Sequence, residues 1–528
     1  MYENRPVIVI NPNKEETKGK DAVSMNIAAA KAVANIVKTT LGPKGMDKML
    51  VNGVGDIYVT NDGATILKEM DVEHPTAKMV INVARTQELV AGDGTTSAVV
   101  VTSALLENAE KLLEQGVHAT VIIKGYALAA EKAMEILNDN AIEVSSTDKN
   151  ALKNIASTSI TGKASELFSD HLSEICVDAI LAIKKKMQDK IDLKKSVIII
   201  QKPGKEIKDT ELIKGIILDK TTVHPSMPKE VKNPKIALID TPLEIKKTST
   251  DSKLHISTPN QLESFIENEK KSLRDMADMV AKLGVTVLLC SKNIDESAAY
   301  YLQQKNICAI SNINTPELES LSSATGAQIV RNIKEFESSD FGSAGSVEVE
   351  SREKESFTYI QDCPNAKTVT IIIRGRSSQI TDNVDRALDD ALNVVKDVVE
   401  DGKIVAGGGA TEIEIALELS KFAASIEDRT QLAIMEFANA IEFVPKIIAE
   451  NAGQSAIDSL IDVRAAHGDN KRMGLDVTTG EAIDMYEAGI VDPLKVKIQT
   501  IKSATEAANM VLKIDSVLKA KTGDRTNM

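Results

Sequence analysis

The residues with the clearest chemical potential lie in a glycine-rich segment, residues 92–97, directly before an apolar-periodic stretch. Two glycines let a backbone approach an anion closely, and the free N–H groups and dipole at a helix N-terminus attract phosphate. Asp93 lies between these glycines and offers a hard oxygen ligand for Mg2+. The segment favours a phosphate and magnesium site, but an ordinary helix cap made by Asp93 or Thr95 is the commoner use of such residues.

A second glycine-rich segment, residues 39–47, follows a stretch with helical periodicity. Gly42 and Gly45 permit unusual backbone angles and Pro43 fixes a turn, so this loop could fold over phosphates. Glycine and proline also end helices, which is their more frequent role. The role of Asp62 has two alternatives in the same way, because an Asn-Asp-Gly sequence suits both a catalytic carboxylate and a turn.

The common phosphate-binding loop, Gly-x4-Gly-Lys followed by Ser or Thr, does not occur in the sequence. The residues that follow the Gly-Lys pairs are instead Asp21, Ala164, Glu206 and Ile404. A further glycine run, residues 407–409, comes before another helical stretch. It allows close backbone approach to a ligand or acts as a loop hinge.

One predicted helix, residues 379–400, places a carboxylate where it can reach a cleft. Asp390 falls at the edge of the apolar stripe of this helix, whereas Asp385 and Asp389 fall toward the opposite side. A carboxylate on the polar side is normally solvated. The edge position therefore singles out Asp390 as a candidate for chemistry.

The pattern of elements changes twice along the chain. Apolar residues at three- and four-residue spacing predict long helices near the N-terminus, over residues 21–38, 76–90, 95–115 and 119–137. From about residue 196, short β runs alternate with helices, as in an α/β domain. After a strand at 368–374, long helices return, over residues 379–400, 411–422 and 429–451. The sequence predicts a strand-rich insert between two helical portions.

The bulk composition limits the class of protein. A chain of 528 residues with 43% hydrophobic content can form two to four domains. The longest apolar runs fall short of a bilayer span, and the first residues lack the apolar stretch of a signal peptide. We expect a cytoplasmic protein that makes no use of a membrane, with its widely spaced cysteines packed as thiols.

Nucleic acid is an unfavourable ligand for this chain. The net charge is −14, so broad electrostatic capture of a phosphate backbone is disfavoured. Aromatic residues make up 3% of the chain and tryptophan is absent, which leaves little surface for stacking bases.

Six blocks of sequence, taken together and in order, are more specific than any of these signals alone. They are residues 40–50, 60–67, 92–96, 386–391, 407–412 and 491–493. The residues of these blocks and the order of the blocks resemble the group II chaperonins, which are the thermosome subunits of archaea and their relatives in the eukaryotic cytosolic chaperonin. The resemblance spans nearly the whole chain.

The resemblance implies an α+β multidomain fold with three domains. A mostly helical equatorial ATPase domain would comprise residues 1–146 and 403–528. A small α/β intermediate hinge domain would comprise 147–216 and 369–402. An α/β apical substrate-binding domain would comprise 217–368, with a helical lid protrusion at about 244–275.

The same resemblance implies an ATP-dependent chaperone that encloses non-native polypeptides. Its partners would be unfolded clients and identical or paralogous subunits in stacked rings. Hydrolysis of Mg-ATP would drive closure of the built-in lid, so no separate co-chaperonin cap would be required. The alternatives from other classes are a small-molecule phosphotransferase and a scaffold that binds nucleotide without turning it over.

The resemblance also assigns the site residues. Asp62 and Asp390 would be the hydrolytic carboxylates, and Asp93 would ligate Mg2+. Lys163 would bind ATP as the hinge's charge sensor for the terminal phosphate. The remaining nucleotide-binding residues would be Thr40, Leu41, Gly42, Pro43, Gly94, Thr95, Thr96, Ser97, Gly408, Gly409 and Asp492. One departure lies beside the site, since Asp389 stands where relatives often have His.

Overall fold

The protein is described by a computed structural model that covers residues 15–51, 55, 57–163, 166–184, 190–213, 215–244, 259–337, 339–352, 355–364 and 368–519. The fold mixes long helices with several small sheets. The predicted α+β class is therefore confirmed.

The α-helices account for most of the regular structure. In chain order they are α1 (Gly19–Val37), α2 (Gly63–Glu69), α3 (Pro75–Ala91), α4 (Thr95–Glu114), α5 (Ala119–Asp139), α6 (Lys149–Ile160), α7 (Ser169–Lys184), α8 (Leu193–Ser196), α9 (Pro259–Lys282), α10 (Glu296–Gln304), α11 (Thr315–Thr325), α12 (Ser378–Asp401), α13 (Ala410–Ala424), α14 (Thr430–Ile441), α15 (Phe443–Asn451), α16 (Ala456–Ala466) and α17 (Leu494–Leu512).

The strands are short. In chain order they are β1 (Glu15–Lys18), β2 (Lys48–Val51), β3 (Ile57–Thr60), β4 (Ile142–Glu143), β5 (Val197–Pro203), β6 (Glu211–Ile213), β7 (Gly215–Leu218), β8 (Glu230–Lys232), β9 (Lys235–Ile239), β10 (Val287–Cys290), β11 (Cys308–Ile310), β12 (Ile329–Val330), β13 (Gly342–Ser343), β14 (Ser346–Arg352), β15 (Glu355–Gln361), β16 (Val369–Gly375), β17 (Lys403–Ala406), β18 (Met473–Leu475), β19 (Ala482–Asp484), β20 (Val491–Pro493) and β21 (Ser516–Lys519).

The chain forms two compact units. Unit 1 comprises Met1–Ser173 and Arg386–Met528, and unit 2 comprises Glu174–Asp385. Unit 1 is thus built from both ends of the chain and unit 2 from a continuous middle. The finer division into three domains, with its boundaries, stays a prediction.

Unit 1 is organised around α4. Residues 98–106 of this helix are all buried, because its sequence is apolar on every face and neighbouring helices cover it. The helices that pack against it are α1, α3, α14 and α17. A central helix covered on all sides is a rigid base, and its first turn carries the glycine-rich segment singled out in the sequence.

The described residues of unit 2 form three sheets. Parallel strands in the order β11-β10-β9-β12 form the largest, and β13 adds to β9 in antiparallel orientation. An antiparallel sheet has the order β7-β15-β14-β8, and a third has the order β5-β16-β6. The four cysteines, all in this unit, are buried free thiols, as expected.

The predicted lid protrusion falls partly outside the described residues. Residues 245–258 belong to the part of the chain that is not described. The helix expected directly after them is present as α9, Pro259–Lys282.

One predicted helix is divided in two. Periodicity predicts a continuous helix over residues 429–451, but α14 ends at Ile441 and α15 begins at Phe443. Pro445 has no N–H group, so the carbonyl of Ile441 cannot receive the usual helical hydrogen bond. The prediction of a single helix was wrong for this reason.

Where the chain is described, we find no helix with the length and apolar character needed to span a bilayer.

The aromatic contact between α5 and α14 should be a sensitive point in the core of unit 1. Phe437 and Tyr126 are fully buried with ring centroids 5.6 Å apart, and the Tyr126 hydroxyl donates to the Leu105 carbonyl at 2.7 Å. Phe437→Ala should lower the free energy of unfolding by about 3–5 kcal/mol, because it leaves a cavity among packed helices. Urea unfolding followed by circular dichroism measures this.

Met435→Ala is the matched control, because Met435 lies on the same helix and is 37% exposed. It should cost less than about 0.5 kcal/mol. Equal losses from both variants would contradict the packing described here.

Candidate active site

The first turn of α4 is arranged to receive an anion. Gly94 precedes it with a left-handed φ of 79°, and no side chain caps the helix. The N–H groups of this turn, from Thr95, Thr96 and Ser97, have no intrahelical partners by construction. The ordinary cap considered from the sequence is therefore not formed here, which leaves the turn free to bind phosphate.

The carboxylate of Asp93 is held in one orientation. Its Oδ1 accepts a hydrogen bond from the Gly94 N–H at 2.6 Å, and its Oδ2 accepts from the Ser159 hydroxyl at 2.9 Å. Its main-chain oxygen accepts from Gln87 Nε2 at 2.8 Å. Each carboxylate oxygen keeps a lone pair beyond these bonds, so Asp93 can still ligate a cation.

Lys163 and Asp390 form an ion pair next to this loop. The Lys163 ammonium donates to Asp390 Oδ2, and the two side chains are 17% and 20% exposed. Lys163 follows the turn that ends α6, while Asp390 comes from α12. The edge position predicted for Asp390 therefore directs its carboxylate to a partner distant in sequence.

The pKa values show that four groups act on one another. Burial raises the pKa of Asp390 well above its ordinary value; Lys163 opposes this shift, and the charges of Asp93 and Asp62 add to it. Burial lowers the pKa of Lys163, but Asp390, Asp93 and Asp62 together raise it above the ordinary value. One ammonium therefore faces three carboxylates, and the lysine remains protonated.

Asp62 forms the turn weighed from its sequence, and its catalytic role stays a prediction. Its side chain caps α2, accepting from the N–H groups of Ala64 at 3.3 Å and Thr65 at 2.8 Å. The next residue, Gly63, lies against the start of α4, since a Cβ there would be 2.4 Å from Thr96 Oγ1. The turn thus carries the carboxylate to the side of the anion site.

The segment at residues 39–47 also ends a helix and reaches the site. The buried Thr40 hydroxyl donates to the Val37 carbonyl at 2.8 Å, so it completes the helix end. Gly42 follows with a φ of 85°. The backbone of Gly42 and Pro43 lies against Gly162, where a Cβ would be 2.9 Å from both the Gly42 carbonyl oxygen and Pro43 Cα. This contact joins the loop to the turn after α6, which carries Lys163.

The third glycine run lies at the start of α13. Gly409 precedes this helix with a φ of 82°, and no side chain caps it. Asp492 lies on β20, which pairs with β17 just before this glycine run. It forms a salt bridge with Lys497 at 2.8 Å, and Lys497 forms a second one with Glu412 at 2.7 Å. Burial lowers the pKa of Lys497, but Asp492 and Glu412 raise it above the ordinary value overall, so it stays charged and holds Asp492 in place.

One helix joins the glycine runs. On α15, Pro445 lies against Gly409 and Ile448 lies against Gly42, as the positions of added Cβ atoms show. Asn451, at its end, donates to the Leu41 carbonyl at 2.8 Å. Thus Gly408, Gly409 and Asp492 belong to the same unit as the loop of Gly42, and Gly409 connects to that loop through α15.

Sequence reasoning missed three residues that build the site. Ser159 bonds Asp93, Asn61 Nδ2 donates to the Gly162 carbonyl at 2.7 Å, and Asn393 packs against Gly92, where a Cβ would be 2.2 Å away. Asn61 lies inside the block of residues 60–67 and could have been singled out. Ser159 and Asn393 carry no local signal, because their roles depend on partners far along the chain.

The donor set suits Mg2+ that arrives with a phosphorylated ligand. Within the described ranges, no group of three or more Asp, Glu, His or Cys side chains forms a cage for a metal ion. Mg2+ usually takes one or two carboxylates plus substrate phosphates rather than an all-protein cage. Asp93 beside an uncapped helix start fits this pattern.

Comparison with known proteins gives the family. Residues 33–522 match the TCP-1/cpn60 chaperonin family. A thermosome subunit of Methanothermococcus thermolithotrophicus is 48% identical over 523 residues, which cover 99% of this chain and 96% of that protein. The thermosome subunit alpha of Archaeoglobus fulgidus and subunit beta of Thermococcus kodakarensis are each 48% identical, over 98% of this chain and 95% of their own length.

The chain belongs to the TCP-1/cpn60 chaperonin family, which confirms the resemblance drawn from the six blocks. It is a chaperonin subunit and acts as a molecular chaperone. The members of this family are ATPases that bind ATP.

The contact between Gly162 and the loop of Gly42 offers a matched test. Gly162→Ala places a Cβ against the backbone of Gly42 and Pro43, so it should weaken ATP binding by about tenfold or more by displacing the loop. Isothermal titration calorimetry with ATP and Mg2+ measures this.

Gly116→Ala is the control for backbone strain, because Gly116 has the same φ of 82° with nothing within 4 Å of an added Cβ. It should leave ATP affinity unchanged. Equal effects of the two variants would show that the loop contact has no role in binding.

Proposed function

We propose that this chain is a subunit of a thermosome-type double ring that binds Mg-ATP and encloses non-native polypeptides while they fold. The similarity to thermosome subunits at 48% identity over almost the whole of both chains supports this assembly. The rings would contain identical or paralogous subunits. Hydrolysis of ATP would drive closure of the built-in lid.

The phosphate side of the site is assigned to the elements around the first turn of α4. Asp93 would hold Mg2+, which offsets negative charge on the phosphoryl oxygens when bound. The uncapped N–H groups of Thr95, Thr96 and Ser97, with Gly94, would cradle the phosphates. The loop of Thr40, Leu41, Gly42 and Pro43 would cover them.

The ion pair of Lys163 and Asp390 carries the proposal most directly. A terminal phosphate is a strong competitor for the Lys163 ammonium, because charge-assisted hydrogen bonds to phosphate oxygens are among the stronger polar contacts. Arrival of that phosphate would release Asp390 to accept a hydrogen bond from the attacking water. Asp62, fixed as the cap of α2, would orient the water from the second side.

The nucleoside side is assigned to Gly408, Gly409 and Asp492. Gly408 has a φ of 58° and lies against Met485, where there is no room for a side chain, so only backbone is present at this position. Asp492 keeps one carboxylate oxygen outside its salt bridge with Lys497 Nζ. That oxygen would accept a ribose hydroxyl.

The three-domain division accompanies this function. The equatorial domain, residues 1–146 and 403–528, would hold the nucleotide. The hinge domain, residues 147–216 and 369–402, would contain both Lys163 and Asp390. The apical domain, residues 217–368, would bind clients, and its protrusion at about 244–275 would replace a separate cap. A cytoplasmic location stays a prediction.

Removal of the Asp390 carboxylate should separate binding from hydrolysis. Asp390→Ala should retain ATP binding, because the phosphate cradle and Asp93 remain, but lose hydrolysis by about a hundredfold or more through loss of water positioning. ATP titration and steady-state phosphate release measure the two properties. ATP-dependent refolding of a denatured client should fall with hydrolysis.

Asp401→Ala serves as the control, since this exposed carboxylate lies at the end of the same helix. It should leave turnover unchanged. Wild-type turnover in Asp390→Ala would remove the hydrolytic role from this residue, and a stable monomer that phosphorylates a metabolite would favour a phosphotransferase instead.

A further inference from the structure

Behind the site, on the same helix as Asp390, lies a buried carboxylate that forms an ion pair. The side chain of Asp397 on α12 has no exposed surface. Its Oδ1 accepts a hydrogen bond from Lys495 Nζ at 2.8 Å, with Lys396 Nζ at 3.5 Å. Its other oxygen, Oδ2, is buried without a hydrogen-bond partner among the residues that the structure describes.

Burying a carboxylate at this core position has a large cost in free energy. A buried carboxylate loses its hydration, and apolar side chains of similar size often give an equal or more stable core. Burial accordingly raises the pKa of Asp397 in spite of the two neighbouring lysines. A charge kept here is better explained by the placement that it imposes than by the stability that it adds.

The residue whose position depends on Asp397 is Asp390. Asp397 follows Asp390 by seven residues on α12, which is close to two helical turns, so both side chains lie on nearly the same face about 10 Å apart. A bond that fixes Asp397 therefore sets the rotation of the helix and its position along its axis. The Asp390 carboxylate is set by the same bond.

The partner of Asp397 belongs to the element that holds the Asp93 loop. Lys495 lies in the first turn of α17, and the next residue, Val496, lies against Gly94, where a Cβ would be 2.8 Å from Val496 Cγ1. The Val496 carbonyl accepts from Gln87 Nε2 at 3.2 Å, and the same amide nitrogen donates to the Asp93 carbonyl.

The other flank of the loop rests on α12 itself. Asn393 packs against Gly92, and its Oδ1 accepts a hydrogen bond from Lys396 at 3.2 Å. The loop of Asp93 is thus flanked on one side by α12 and on the other by the first turn of α17. The pair of Asp397 and Lys495 bonds these two flanking helices to each other.

We propose that Asp397 and Lys495 are a positioning pair for ATP hydrolysis. By fixing α12 to the first turn of α17, the pair sets the Asp390 carboxylate at its working position relative to Asp93. Neither residue touches the nucleotide in this account, and the inference rests on the hydrolytic role proposed for Asp390. The pair should therefore control turnover and leave ATP affinity alone.

Variants of the full-length chain test the proposal through the division between kcat and KM. Lys495→Gln and Asp397→Asn should each lower kcat by about 10- to 100-fold, the loss expected when a catalytic group is displaced by a fraction of its ideal geometry. The KM for ATP and the Kd from calorimetry should stay at wild-type values. Lys495→Arg should restore most of the turnover, because a guanidinium can still bond the carboxylate.

Two exposed residues on the same helices provide matched controls, Lys502 on α17 and Asp401 on α12. Lys502→Gln and Asp401→Asn should keep wild-type kcat. The double variant Asp397→Asn with Lys495→Gln should be no slower than either single variant, because the two residues act as one unit. Additive losses would overturn the proposal.

A purely structural role gives a different result. If Lys495→Gln lowers the melting temperature while the folded protein keeps wild-type kcat, or raises KM alone, the proposal is wrong. Should single variants fail to fold, Asp397→Leu with Lys495→Met removes both charges of the pair together, and this folded pair variant should also turn over slowly. Wild-type turnover in it would overturn the inference.

The inference and the proposed function fail in different ways. Wild-type turnover in Asp390→Ala would remove the hydrolytic role whatever the other variants do. An inactive Asp390→Ala together with wild-type kcat in both Lys495→Gln and Asp397→Asn would leave that role intact and remove only the positioning pair.

Discussion

The site depends on an imbalance of charge. The carboxyl groups of Asp62, Asp93 and Asp390 all act on the ammonium of Lys163, and burial together with Asp93 and Asp62 raises the pKa of Asp390. A partly buried site with surplus negative charge favours a bound cation, and it repels a bare polyphosphate. For the proposed nucleotide site, this charge favours ATP that arrives with Mg2+ over ATP without a metal.

Close packing of backbone makes this cluster possible. Gly63, Gly92 and Gly162 each lie where a Cβ would collide with a neighbouring segment, at Thr96, at Asn393 and at the loop of Gly42 respectively. The carboxylates and the lysine therefore come from segments far apart in the chain that meet with bare backbone between them. The buried helix α4 gives these segments a rigid base, and α12 brings the last carboxylate.

Local patterns in the sequence predicted much of this arrangement, and distant pairings could not be predicted. Apolar periodicity located α4 and α12 to within a residue or two, and Asp390, at the edge of the α12 stripe, pairs with Lys163. Pro445 explains the one divided helix. The bond from Ser159 to Asp93 and the pair of Asp397 and Lys495 have no local signal in the sequence. The first joins residues 66 positions apart and the second joins residues 98 positions apart.

The most direct test of the charge account is calorimetric titration of ATP, with and without Mg2+, into the wild-type chain and Asp93→Asn. The account predicts strongly metal-dependent binding in the wild type, and in the variant a loss of that dependence with a weaker affinity for Mg-ATP. Asp71→Asn, at an exposed position, should behave as the wild type. Equal affinity and equal metal dependence in Asp93→Asn and the wild type would contradict the account.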